Sequence, residues 1–367
     1  MSRALHPLAL LVALIGILAR PLGAQDSQFG MSGLGTPGRF ESVRSRATGG
    51  AFAPFDALSA LVDAPLAWAD HLTISSGSAT SYRALDFPDG RTWVRATRFP
   101  VLGLSGPIGH GITVGGGFAT YLDKSFDVST RDTVVIRGVP VPVTDRYTSD
   151  GAVADLRVTA AARISQKLFV GAGVHLLTGS ARVRAGRDFA DSSYVDTFEA
   201  SELSYDGFGA SASLVAVPVP SLRVAAFLRS DSRLRARENG TVLARNDLPT
   251  TVGAGLRWQP GSRAAFAASI VSQSWSSAGP NAYNTVNWSA GAELGRGTPL
   301  RLGVRGGHLP FGPDGRAPSE FGLAGGTGFT FSEGRGLIDL SLEHLSRNGV
   351  GLRERVWTFL VGITVRP

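Results

Sequence analysis

Between Arg355 and Arg366 the sequence alternates without a break: Arg-Val-Trp-Thr-Phe-Leu-Val-Gly-Ile-Thr-Val-Arg. Trp357, Phe359, Val361, Ile363 and Val365 form one apolar row, and the interleaved row (Val356, Thr358, Leu360, Gly362, Thr364) is smaller and mixed. A period of two means a β-strand whose faces meet different surroundings. A strand of a soluble protein averages roughly five or six residues, whereas one that crosses a bilayer needs roughly 9–11. The stretch has the length and dyad pattern of a membrane-crossing strand.

The rest of the chain repeats that pattern. Strands are predicted near 68–83, 90–104, 110–122, 151–164, 167–181, 204–217, 221–234, 250–259, 262–275, 284–295, 299–308, 319–331, 336–346 and 354–366. That is an even number, fourteen, with both ends on one side, as a single-chain outer-membrane barrel requires. The connections after even-numbered strands are short turns: 105–109, 165–167, 218–221, 260–262, 296–298 and 332–335. Those after odd-numbered strands are generally longer and polar: 123–150, 182–203, 235–249, 276–283, 309–318 and 347–353, with 84–89 the shortest. Short periplasmic turns and long outer loops are the asymmetry of outer-membrane barrels. Segment 132–137 in the third long loop reads as an extra hairpin arm.

The two faces of these strands differ in kind. Ala154, Leu156, Val158, Ala160, Ala162 and Ile164 alternate with Asp155, Arg157, Thr159 and Arg163, and the strands near 222–229 and 336–344 behave alike. An arginine facing lipid near the midplane costs about 2–4 kcal/mol. Asp155, Arg157, Arg163, Arg223, Arg229, Arg257, Glu293, Arg301, Arg305, Asp339 and Glu343 are therefore expected in the lumen. Trp93, Trp258, Trp275, Trp288 and Trp357 are expected in interfacial girdles.

The start of the chain has the layout of a secretory signal. Arg3 precedes an apolar core from Leu8 to Leu18, and Leu22-Gly23-Ala24 offers a cleavage site before Gln25, giving a signal peptide over 1–24. Residues 25–67 lack clean alternation and form a separate segment ahead of a barrel over 68–367. It reads either as an extension on the periplasmic side or as a plug entering the barrel. Cysteine is absent, which excludes disulfides and thiol chemistry, while 47 glycines and near-neutral overall hydropathy suit a barrel. The formal charge is +7, but the arginines are scattered singly on strand positions with no basic run, so no nucleic-acid partner is expected.

Gly49-Gly50-Ala51-Phe52, then Ser59-Ala60-Leu61-Val62 and Ala64-Pro65-Leu66 just ahead of Trp68, resemble the opening of the FadL-like outer-membrane proteins. These include hydrophobic-compound channels and PorV-type relatives. Only Pro65 survives of the family's Asn-Pro-Ala. The ending from Glu354 into Trp357-Thr-Phe-Leu-Val-Gly-Ile-Thr is similar too, although the chain finishes on Pro367 instead of an aromatic residue. The resemblance implies a fourteen-stranded barrel plugged by its N-terminal segment. Small hydrophobic ligands, fatty-acid-like or aromatic, would bind near the plug and leave laterally or downward when it shifts. Phe29, Phe52, Phe55, Leu61, Pro65 and Trp68 are the residues expected to line the plug and the greasy site, with Arg157 or Arg223 anchoring a carboxylate.

No cofactor or metal site is expected, since no two of the six histidines stand at ligand spacing. His175 on the lumen face with serines nearby is the one hint of hydrolase chemistry, but no Gly-x-Ser-x-Gly element accompanies it, and the chain is not expected to be an enzyme. The glycines at 115–117 and 171–173 are strand glycines, not a phosphate loop. The expected partners are membrane lipid and lipopolysaccharide, a small hydrophobic ligand, and proteins at the extracellular loops. Two alternatives stand beside hydrophobic uptake: a PorV-like accessory barrel that binds proteins in secretion, and a general diffusion porin.

Overall fold

The computed structural model of the protein describes residues 27–87, 90–312 and 315–367, so the signal stretch 1–24 lies outside the described residues. Among them, fourteen antiparallel strands close into a barrel: β1 (Thr73–Phe87), β2 (Gly90–Gly109), β3 (Ile112–Asp123), β4 (Val139–Ser165), β5 (Leu168–Phe189), β6 (Thr197–Val219), β7 (Leu222–Asp231), β8 (Thr250–Trp258), β9 (Ala264–Gln273), β10 (Thr285–Leu294), β11 (Leu300–His308), β12 (Ser319–Phe331), β13 (Gly336–Gly349) and β14 (Leu352–Val365). Closure comes from β14 against β1, in register from Arg353↔Asp86 to Val365↔Ile74. The first strand starts at Thr73, later than expected, because Ala64–Trp68 form a 3-10 turn with Pro65 in its first positions.

Burial is inverted relative to a soluble protein. Trp357, Phe359, Ile363 and Val365 point outward and are close to half exposed, while Thr358, Leu360, Gly362 and Thr364 are buried. Phe208, Leu228, Val252, Ile270, Leu302, Leu323 and Leu342 continue the exposed apolar belt around the wall. Asp155, Arg157, Arg229, Arg301, Asp339 and Glu343 are buried inside. So large an exposed apolar surface around a charged interior has one favourable solvent, a bilayer. Trp258 and Trp288, like Trp357 and Trp93, face outward as girdle residues do. Trp275 does not. It follows the end of β9, where the chain turns inward as a 3-10 element (Trp275–Ala278), and it is 1% exposed, edge-on to Phe311 at 5.3 Å.

Two hairpin arms extend the wall beyond the long-loop end. Phe126–Ile136 pairs with Val139–Ser149 through an Arg137-Gly138 turn, enlarging the arm expected at 132–137 without adding a barrel strand. Leu234–Glu238 and Thr241–Asn246 form a second arm, which pairs with β6. Its turn residues, Asn239 (φ 48) and Gly240 (φ 81), carry the paired positive φ of a two-residue hairpin.

The described part of the N-terminal segment lies against the inward faces of the strands. Ser27 starts at the long-loop end, where its hydroxyl meets Glu354 Oε2 at 2.6 Å. Thr36–Pro37 pairs with the outer end of β3. The chain then runs down the lumen to Trp68, which meets Phe169 at the short-turn end at 5.2 Å. Strand glycines make this possible, because the segment's backbone rests directly on them. A Cβ at Gly303 would stand 2.0 Å from the Thr48 carbonyl carbon, and one at Gly171 would stand 2.5 Å from the Ala64 nitrogen. Gly49 and Gly50 themselves have φ of +69 and +97, a region closed to most side chains. Gly303→Val is therefore expected to unseat the segment at Thr48–Gly49 while the barrel persists. The result to look for is new protease cleavage within 40–60, with heat-modifiable gel mobility unchanged; an uncut segment would show that the seat tolerates the side chain.

The wall has one incomplete seam. β2 pairs with β3 only from Val101↔Ala119 to Gly109↔Ile112. Above Val101, among the described residues, the edge of β2 has no barrel strand beside it on that side. Pro100 lacks an amide hydrogen, and the β1 pairing shifts register at Gly77/Ala79 opposite it, so the ladder breaks there. The seam is spanned by side chains: Arg98 lies 3.3 Å from Asp123 and 2.9 Å from Ser125 Oγ.

Candidate functional site: two chambers either side of the N-terminal segment

The segment is fastened to the wall by ion pairs. Glu343 on β13 accepts from Arg39 at 3.2 Å and from Arg46. Glu293 on β10 accepts from Arg44 at 2.9 Å. Arg157 on β4 lies 3.4 Å from Asp63 and donates to the Ser59 carbonyl at 3.1 Å. Asp63 also takes the Ser211 hydroxyl at 2.7 Å, and the backbone amides of Asp63 and Ala64 donate to Ser213 Oγ. Asp63 thus supplies a polar anchor directly before Ala64-Pro65-Leu66. Burial pushes the Glu41 carboxyl up, but Arg39, Arg305 and Arg46 outweigh it and hold it at about 2. Other wall charges are matched among themselves: Arg301 with Glu293 and Asp339, Arg305 and Arg347 with Glu320, and Arg229 with Asp155 and Asp231. Asp339 and Glu343 belong to these networks and do not face each other as an acid and base.

His175 sits 2.9 Å from Asp155 through Nδ1 and 2.9 Å from Ser211 Oγ through Nε2. These are the contacts of a Ser-His-Asp triad. Here the serine hydroxyl reaches the Asp63 carboxylate, whose negative charge opposes a nucleophilic alkoxide, and neither Ser211 nor His175 lines either chamber described next. The group acts as a link between segment and wall.

At the long-loop end a cavity of about 140 Å³ lies between the segment and the wall, with Phe40, Leu61, Tyr121, Phe227, Trp275 and Leu309 among its lining. At the short-turn end a chamber of about 660 Å³ opens below the segment. Phe52, Phe55 and Trp68 supply its apolar side, and Arg163, Arg223 and Arg257 are among its polar groups. Arg223 stacks over Trp68 at 4.6 Å and Arg257 over Phe52 at 5.6 Å.

Of the residues singled out in the sequence, Phe52, Phe55, Trp68 and Arg223 come together at the lower chamber, and Leu61 belongs to the upper one. Phe29 stands apart at the long-loop rim, buried against Gly349. Pro65 is buried within its 3-10 turn. Arg157 is committed to Asp63, so it is not a free anchor. Sequence reasoning missed Phe40, Tyr121 and Trp275 of the upper chamber, and it placed Arg257 in the lumen without seeing that it pairs across the sheet with Arg223. That register runs through β7 and β8, which a long arm separates in sequence.

No protein-family model and no curated protein matches the sequence. Solved structures do. A FadL homologue from Pseudomonas aeruginosa aligns with a TM-score of 0.61 at 12% identity, over 91% of this chain and 99% of that one. The chain has the FadL-like barrel fold. The toluene transporter TodX of P. putida (TM-score 0.58, 15% identity, 92% and 99% covered) and the monoaromatic hydrocarbon channel CymD (0.58, 14%, 90% and 98%) are similar at the same level.

Proposed function

We propose that this protein is an outer-membrane channel for small hydrophobic molecules, with residues 27–68 as a plug that separates an outer chamber from a periplasmic one. The observation that supports the reading is a segment pinned by wall carboxylates and arginines between two cavities inside the barrel. The outer chamber offers rings to an apolar guest, and at about 140 Å³ it is smaller than the roughly 300–1,000 Å³ of ordinary ligand sites. A cavity of that size holds about one aromatic ring, so a larger guest must move the plug to be held. From there it leaves either through the seam above Val101, into the bilayer, or past the plug into the lower chamber. The similarity in fold to channels named for toluene and monoaromatic hydrocarbons supports the same substrate class here.

The charged lumen gives less support to a general porin than the sequence suggests, because most of those charges, those around Glu293, Glu320, Asp339 and Glu343 among them, are paired with one another or with the plug. The accessory-barrel alternative draws on the two outer arms, which expose Val135, Val139 and Leu243. Uptake separates the readings. Outer-membrane vesicles carrying the protein are expected to accumulate labelled toluene several-fold faster than empty ones, with no gain for a small sugar. Equal toluene rates would reject the channel, and a matching gain for sugar would make it a porin.

A further inference from the structure

We infer that the lower chamber is an anion-binding site, in which Arg223 and Arg257 clamp the carboxylate of an amphipathic organic acid whose apolar body rests on Phe52, Phe55 and Trp68. The inference rests on the channel reading for the route by which such a molecule arrives, but the site stands on its own geometry.

The two arginines are direct partners across β7 and β8, Arg257↔Arg223, and both face inward. Like charges placed opposite each other in an antiparallel pair are destabilising. Elsewhere in the lumen the buried arginines are offset by carboxylates: Arg157 by Asp63, Arg229 by Asp155, Arg301 by Asp339, Arg347 by Glu320. Among the described residues, neither Arg223 nor Arg257 has such a partner. Arg257 spends one Nη2 hydrogen on Gln259 at 3.0 Å, and its Nε is buried with no hydrogen-bond acceptor. Both side chains are only partly buried and face an open chamber, but the Nε of Arg257 is a buried donor left unmatched, and two like charges aimed at one cavity with no carboxylate between them need a reason.

The nearby carboxylates make their direct contacts elsewhere and bond to neither arginine. Glu293 is held by Arg44 and Arg301, and Asp56 accepts from Ser42, Ser45 and the Leu58 amide. Asp70 lies exposed at the mouth. Two guanidinium forks on adjacent strands present several donors to one oxyanion, the geometry that favours a carboxylate. Each fork also lies on an aromatic face, Arg223 on Trp68 and Arg257 on Phe52, which fixes it and places an apolar surface beside the charge. At about 660 Å³ the chamber holds a drug-sized molecule, so a bare inorganic anion would leave most of it empty.

The test is benzoate binding to the purified barrel, followed by calorimetry and by tryptophan fluorescence, beside the double variant Arg223→Gln/Arg257→Gln. Wild type is expected to bind benzoate at least roughly tenfold more tightly than the double variant, a difference of about 1.4 kcal/mol. Inorganic phosphate is the comparison anion. Phosphate binding as tight as benzoate would overturn the amphipathic ligand and leave a simple anion site. Equal benzoate affinity in both proteins would overturn the clamp. Heat-modifiable mobility checks the fold, and because the variant removes a like-charge pair its unfolding temperature is expected to stay level or rise. Arg223→Lys/Arg257→Lys keeps the charge but loses the forks and is expected to fall between. Loss of benzoate binding in the variant, together with toluene uptake that never exceeds empty vesicles, would keep the site and discard the channel.

Discussion

Deletion of residues 25–66 is expected to turn a silent barrel into one that conducts steadily in a planar bilayer. A fourteen-stranded wall encloses more space than the side chains of an eight-stranded barrel can fill, and here the N-terminal segment occupies that space. It also brings in the countercharges: Arg39 and Arg46 for Glu343, Arg44 for Glu293, Asp63 for Arg157. Without it these wall groups face an empty lumen and draw in water, since an unpaired charge cannot remain dry. The barrel itself should persist, because its ladder from β1 through β14 closes without the segment. Wild-type protein is expected to stay closed in the same bilayer. Steady wild-type conductance would show that the segment is no seal and favour a porin. Silence in both proteins would mean that wall and loop side chains fill the lumen, and the accessory reading would then lead.

Much of this architecture was legible because a membrane barrel writes its two solvents into alternate residues. The rows of Arg355–Arg366 sort into lipid-facing and lumen-facing sets in the structure as in the sequence, and the parity of short and long connections fixes the number of barrel strands. The outer arms were less legible. Most of their residues are exposed, and only short rows such as Val141, Val143 and Asp145 are buried, so alternation is weak, and the clearer signals are the turn pairs Arg137-Gly138 and Asn239-Gly240. The second of these is a strong hairpin marker. Trp275 misled because a tryptophan at a strand end suits either an interface or an inward turn, and only the 3-10 element after Gln273 decides. The site was legible by residue type and not by pairing. Facing alone put Arg157 and Arg223 in the lumen together; what separates them is Asp63, far away in sequence, which occupies one and leaves the other free.

Glu343→Ala is expected to open the plug without removing it. The carboxylate is buried and holds Arg39 and Arg46, both on the segment, so the change strands two cations with little access to water. Breaking a buried ion pair on one side costs about 3–5 kcal/mol. Part of that cost is avoided if the segment swings out and hydrates its arginines, which shifts the seated-to-released balance toward release by roughly two or more powers of ten at the low end of that range. Arg39 keeps Glu41 as a partner at 3.1 Å, so the stress falls mainly on Arg46. Replacing both members of that pair, Glu343→Met with Arg46→Met, is then expected to restore closure, because a packed apolar pair often matches a buried ion pair in stability. The measurement is single-channel recording of the three proteins: closed wild type, frequent openings in Glu343→Ala, and closure regained in the double variant. Openings that persist in the double variant would mean that the charge itself, and not its pairing, keeps the lumen shut. No openings in Glu343→Ala would assign the hold on the segment to the glycine seats at Gly303 and Gly171.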